Sequence, residues 1–279
     1  ETEEETEEVV KAEAEPTTEN EAKSELASTS KPPIEGASNE PPSELRSAVQ
    51  TWATDWSLRT ISLDELFSGG PPRDGIPPID EPSFISIEDA AQEVAEAEPI
   101  VVYEHEGDAR AYPLAILIWH EIVNDKIGNV PVLVTFCPLC NSALTFDRRV
   151  SGRVLDFGVS GKLRNSDMVM YDRETQSWWQ QAIGTAIVGE LTGAELAPIP
   201  SWMESWDQFK ARRPGGLVMA EPAWNRSYGR NPYRGYDSTA RPFLYSGELP
   251  PHGIAPLMRV VRVGARAWPM DRLAKAGEI

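Results

Sequence analysis

The sequence predicts an α+β fold in which β-structure predominates, built from antiparallel hairpins, a few short helices and two related structural units. Three observations predict it. Short β-branched and aromatic runs are separated by Gly, Asn and Asp turn signals. Helix N-terminal signals precede only brief apolar stretches. One six-residue segment occurs twice. With 279 residues, 41% of them apolar, and nine tryptophans, the chain has material for one or two domains.

Residues 1–48 are rich in Glu, Thr, Ser, Ala and Pro and hold no aromatic residue. They cannot bury enough apolar surface to offset the entropy of ordering, so a disordered acidic tail or tether is expected there, with a globular domain over 49–279. The tail carries a net charge of −10 of the total −18, which leaves the body only moderately acidic. Such a surface repels phosphate backbones and argues against nucleic-acid partners. No run approaches the roughly 18 apolar residues that span a bilayer. The chain opens on Glu1, as expected of a processed or incomplete start.

Order is expected from about residue 49, followed by a turn-dense loop over 68–78. Ser86 ahead of Glu88 and Asp89 reads as a helix N-cap with acids in the first turn. Residues 101–106 and 109–112 flank Gly107-Asp108, a hairpin signal. Pro113 suits the start of a buried helix running to about Val123, stopped by Asn124-Asp125. Residues 130–136 and 142–146 bracket Cys137-Pro138-Leu139-Cys140-Asn141 as strand, tight knuckle and strand. Further strands are expected over 154–159 and 168–171, with turns at Ser151-Gly152 and Ser160-Gly161. A short helix is expected over 202–212.

The repeated segment is Ala109-Arg110-Ala111-Tyr112-Pro113-Leu114, which returns as Ala265-Arg266-Ala267-Trp268-Pro269-Met270. It predicts a first unit over about 82–200 and a second from about 255, cut short at Ile279. With the copies aligned, His120 falls opposite Ala276 and Glu121 opposite Gly277. The unit therefore does not need a histidine at that position.

Cys137 and Cys140 are the chain's two cysteines, and the knuckle places both sulfurs on one side of a turn. Cys-x-x-Cys is half of a tetrahedral zinc site, and His120 is the first candidate for a third ligand. Glu121 could then move a proton beside a metal-bound water. Copper would favour the thiolates, with Met168 or Met170 as a soft donor. Two alternatives stay open: thiol–disulfide exchange by Cys137 and Cys140, and a structural disulfide in a non-catalytic interaction module. His105 reads as a surface residue and His252 as a loop residue. Arg164 and Asn165 could contact a ligand, although a hairpin turn is the plainer reading. Trp178 and Trp179 read as packing residues on alternate faces. A zinc-deaminase reading fails on spacing, since His120 and Glu121 are adjacent, and the paired boxes of a Rieske cluster are missing.

The chain resembles the bacterial and archaeal family of unknown function DUF3179. The resemblance is carried by Asp74-Gly75-Ile76-Pro77, the first copy of the repeated segment, Trp119-His120-Glu121-Ile122-Val123-Asn124-Asp125 and Cys137-Pro138-Leu139-Cys140-Asn141-Ser142-Ala143. Phe157-Gly158-Val159-Ser160-Gly161, Asn165-Ser166-Asp167-Met168 and Tyr228-Gly229-Arg230-Asn231-Pro232-Tyr233 add to it. Asn141 stands where glycine is expected, and Asn tolerates the left-handed conformation a knuckle needs. The resemblance implies a signal sequence or lipoprotein anchor upstream, an extracytoplasmic location and further chain beyond Ile279. It implies no activity.

Overall fold

Strand β7 (Val130–Cys137) is buried along nearly its whole length, which is why its sequence reads as a near-continuous apolar run broken by Thr135. Its side chains alternate between two cores. Val132, Val134 and Phe136 join one cluster, while Leu133 and Cys137 join the other. A computed structural model of the chain describes residues 41–43, 45–46, 50–91, 93–264 and 266–277. Most of the expected acidic tail lies outside the described residues. Leu45, near its end, is buried beside Trp52, Ile61 and Leu63.

The central sheet has the order β15 (Pro198–Ile199), β8 (Ser142–Asp147), β7, β6 (Ile122–Ile127), β2 (Ile79–Asp80). A second sheet runs β1 (Leu66–Ser68), β11 (Phe157–Arg164), β12 (Asp167–Asp172), β13 (Trp178–Gln180), β14 (Thr185–Val188). A third runs β16 (Trp202–Ser205), β4 (Pro99–His105), β5 (Asp108–Pro113), β17 (Leu217–Met219), β3 (Phe84–Ser86). Two ribbons complete the strands: β9 (Arg149–Val150) with β10 (Arg153–Val154), and β18 (Val260–Val263) with β19 (Arg266–Pro269). Pairing is antiparallel except for β2 with β6 and β17 with β5. The α+β, β-dominated expectation agrees with this architecture.

The second sheet packs on the face of the central sheet that carries Cys137, with Met168, Met170 and Trp179 in the shared core. Its opposite face holds Val169, Tyr171 and Trp178 under Trp52 and Leu63. Trp178 and Trp179 thus point to opposite sides and are both fully buried. The third sheet meets the central sheet through helix α2 (Leu114–His120), while α1 (Ile87–Ala90) and α3 (Trp206–Arg212) accompany its outer face.

Local signals explain several element ends. Ser86 accepts from the Asp89 N–H at 3.1 Å and caps α1. The hairpin turn between β4 and β5 is Glu106-Gly107, one residue earlier than expected, with both residues at positive φ. Helix α2 ends at His120 instead of near Val123. Glu121 turns left-handed, and the β-branched Ile122 and Val123 join β6 opposite Thr135 and Val134. Asn124 does not stop a helix. It is buried in β6, donating to Asp80 and the Phe157 carbonyl and accepting from the Phe157 N–H. Nor is Ser160-Gly161 a turn. The register shifts there in a bulge within β11, and the turn falls at Asn165-Ser166. Residues 202–205 form β16, and only then does α3 begin, capped by Ser205.

The repeated segments fold alike. In each, a hairpin leads into a proline N-cap, a seven-residue helix and a left-handed C-cap: β4, β5, α2 in the first copy and β18, β19, α4 (Met270–Ala276) in the second. The copies differ in burial. β4 is largely buried between β5 and β16, whereas all four residues of β18 are exposed.

Candidate functional site

Cys137 closes β7, paired with Ser142, and the chain turns back through Pro138–Asn141 into β8. The Cys140 N–H donates to the Cys137 carbonyl at 3.2 Å, and Asn141 adopts φ 47°. This is the expected knuckle, with Asn141 supplying the left-handed residue. Gln181 braces it by donating to the Thr135 hydroxyl at 3.0 Å and the Ser142 carbonyl at 3.3 Å. The two cysteines are not bonded to each other. Cys137 is buried and Cys140 is exposed as a residue.

The third member of the constellation comes from the second sheet. Asn165 and Ser166, at φ 53° and 67°, make the tight turn between β11 and β12, and Asp167 follows at the start of β12. The Cys140 thiol faces the Ser166 carbonyl and Asp167 Oδ1, both at 3.5 Å. One potential ligand atom from each of Cys137, Cys140 and Asp167 lies within 4.8 Å of the other two. Burial raises the Asp167 pKa, although its Oδ2 accepts from the Ala182 N–H at 3.0 Å. The Cys140 thiol is pushed up by its hydrogen bond with Cys137, then by burial and the charges of Cys137 and Asp167. Asp167 is raised by burial alone, and its hydrogen bond with Cys140 works the other way.

A cavity of about 160 Å³ adjoins Cys137. Glu121 enters it from the end of α2. Its N–H donates to the Leu117 carbonyl at 2.7 Å, and its own carbonyl accepts from the Phe136 N–H at 2.8 Å. Glu121 is thereby held beside the end of β7. Its carboxyl makes no hydrogen bond or ion pair with the described residues, and burial alone raises its pKa to about 8. Tyr233 also lines the cavity. Burial, then the charges of Glu121 and Cys137, lift its pKa to about 12. Ile76, Leu139, Val159 and Met168 supply apolar wall. Tyr233 and Phe243 belong to residues 220–259, in which the 3-10 turn Tyr236–Ser238 is the one regular element.

His120 is not part of the sulfur and carboxylate group. Its Nδ1 lies 2.7 Å from the Pro77 carbonyl and its Nε2 2.6 Å from the Tyr228 hydroxyl. A carbonyl only accepts, so Nδ1 carries the proton and the neutral Nε2 accepts from Tyr228. Burial lowers the His120 pKa, consistent with this neutral ring. Both nitrogens are committed, so His120 ties the 220–259 segment to the loop before β2.

Of the other candidates, Met168 lines the cavity and Met170 is wholly buried in the same core. Arg164 is engaged by Glu65 and Gln180, and Asn165 serves the turn. The 157–167 segment does line the cavity, but through Val159, Gly161, Lys162 and Leu163. His105 is 3.9 Å from Glu106, and His252 lies in an exposed loop. Sequence reasoning missed Asp167 and Tyr233 as site residues. The available signals were Asn165-Ser166 as a two-residue turn and the Asn165-Ser166-Asp167 and Tyr228–Tyr233 stretches of the family resemblance.

Comparison with protein families matches residues 73–279 to DUF3179, a family described as protein of unknown function. The match covers well over half of the chain, which therefore belongs to that family. A search of curated proteins and a search of solved structures each return no match.

Proposed function

We propose that this DUF3179 protein binds a transition metal, zinc or copper, through Cys137, Cys140 and Asp167. One observation carries the reading: two sulfurs and a buried carboxylate converge within 4.8 Å, from the knuckle of one sheet and the hairpin of another. A dication would favour the ionised forms of Cys140 and Asp167, whose pKa values are raised without it. Three protein ligands leave a fourth zinc position open. Copper would favour the two thiolates, and Met168 is the nearby soft donor to test. Asp167 takes the place first given to His120, whose nitrogens are occupied. Glu121, with its raised pKa, is protonated at neutral pH and suited to give a proton before it takes one.

The location we propose is extracytoplasmic, on the family resemblance. A free dithiol in an oxidising compartment tends toward a disulfide, and coordination would protect it. The thiol–disulfide alternative rests on the same adjacent, unbonded cysteines. Against it, the exposed member, Cys140, has its pKa raised, which leaves it the less reactive thiol form.

The test is metal analysis of protein purified without added metal or affinity resin. One equivalent is expected in the wild type and in His120→Ala, and a marked loss in Cys137→Ser and Asp167→Ala. Absence of metal from protein that also fails to take up zinc or copper in titration would sink the proposal. Loss in His120→Ala with retention in Asp167→Ala would overturn the ligand set.

A further inference from the structure

Tyr233 and Phe243 wall the cavity beside Cys137, and Phe243 is 47% exposed, so this wall stands between the cavity and solvent. Both belong to the stretch 221–258, which has one short 3-10 turn as regular structure and in which no residue is buried. Its backbone hydrogen bonds among the described residues close within the stretch, as from Arg230 to Ser227 and from Tyr236 to Tyr233. Backbone ties to the body fall just outside its ends. There the Ala220 N–H donates to the Ser83 carbonyl and the Met270 N–H to the Arg259 carbonyl, both at 2.9 Å. Irregular loops of more than roughly 12–15 residues are uncommon in compact domains, and the ordered ones usually serve as lids or binding loops. A stretch with no core of its own can leave the body without disturbing the sheets.

Between those ends, side chains hold the stretch. Arg226 donates to the Gly75 carbonyl at 3.3 Å, the Tyr236 hydroxyl lies 3.4 Å from that of Ser166, and Arg272 of α4 donates to the His252 carbonyl at 2.8 Å. The shortest tie runs from the Tyr228 hydroxyl to His120 Nε2 at 2.6 Å, with the two rings stacked 5.7 Å apart. His120 is wholly buried and its Nδ1 is fixed on the Pro77 carbonyl, so it offers Tyr228 a rigid acceptor. The second copy of the repeated unit has Ala276 at this place, so the unit does not need the histidine in order to fold. We propose that residues 221–258 are a lid over Cys137 that opens as one body, with His120 and Tyr228 as its latch. Closed, the lid leaves Cys137 1% exposed; open, it admits solutes to the sulfur and to the cavity behind it. The inference rests on how this stretch is held and not on the metal.

The test is alkylation of the full chain after chelator treatment, so that its outcome does not depend on the metal reading. Initial rates at Cys137 and Cys140 are separated by peptide mass spectrometry, with hydrogen exchange of the β7 amides measured alongside. In the wild type, Cys137 should react with iodoacetamide and with a bulky polyethylene glycol maleimide far faster than the β7 amides exchange. Tyr228→Phe keeps the ring and removes the latch hydrogen bond. It should speed Cys137 labelling about fivefold, the size of one hydrogen bond, and leave β7 exchange unchanged. Tyr236→Phe should act in the same direction. Equal Cys137 rates in wild type and Tyr228→Phe would overturn the proposal. So would labelling of Cys137 only as fast as β7 exchanges, which would mark opening of the whole domain. Access of iodoacetamide without the bulky reagent would also overturn it, since a gap and not a moving lid would then explain entry. The wild-type comparisons stand whatever the variants do.

Discussion

Glu121 and Gly277 occupy the same place in two copies of one supersecondary unit. Each is the left-handed C-cap of a seven-residue helix, at φ 61°, ψ −29° and φ 80°, ψ −29°. Glycine adopts this conformation without steric cost, whereas a glutamate there is strained by on the order of 1 kcal/mol or more. The first copy thus holds a strained acid where the second has the relaxed residue.

Replacing Glu121 by glycine should therefore stabilise the protein. A gain of about 1–2 kcal/mol in urea unfolding is expected. A destabilised Glu121→Gly would show that the carboxylate supports the fold.

Stability should also depend on pH through this residue. The folded-state pKa is about 8 against an ordinary value of 4.5, because burial favours the neutral acid. Between those values the folded state holds a proton that the unfolded state has lost, so stability falls as pH rises from about 4.5 to 8. Relative to Glu121→Gln, the wild type should lose at most about 4–5 kcal/mol across that window. Parallel pH profiles of the two proteins would contradict the assignment.

Gly161 should tolerate no side chain. It sits at φ 71° in the bulge of β11, and a Cβ there would lie 2.0 Å from the Pro71 carbonyl oxygen. Gly161→Ala is expected to cost about 2–3 kcal/mol and to deform the cavity wall. Denaturant unfolding would read the first effect, and a change in the NMR signals of the Tyr233 ring the second.

Zinc uptake should release protons, because the Cys140 thiol and the Asp167 carboxyl both have raised pKa values before binding. Apparent affinity should climb as pH rises. Calorimetry in buffers of different ionisation enthalpy would count the protons. A pH-independent affinity with no proton release would argue against thiolate ligation.

The parts of the site that were legible in the sequence are those decided by neighbouring residues. The knuckle follows from β-branched runs on both sides of Cys137-Pro138-Leu139-Cys140, and the left-handed Asn141 follows from its type. Its place in the chain points His120 toward the sulfurs, but the hydrogen bonds of its ring run to Pro77 and Tyr228. Asp167 reaches Cys140 only because two sheets pack face to face, a relationship no local pattern encodes. Tyr233 was harder still, since it lies in a stretch with no periodicity. The helix that ended early at His120 shows the same limit. β-pairing of Ile122 and Val123 with β7 outweighed the continuation of an apolar helix.

The cavity is assembled from two kinds of chain. Cys137 and Met168 are pinned by sheet hydrogen bonds, while Tyr233 and Phe243 arrive on residues 220–259, which are held by contacts such as Tyr228 to His120 and Arg226 to the Gly75 carbonyl. Irregular segments accept substitution and length change more readily than paired strands. The lining of the cavity can therefore vary along one stretch of the gene while the strand that presents Cys137 stays fixed on another.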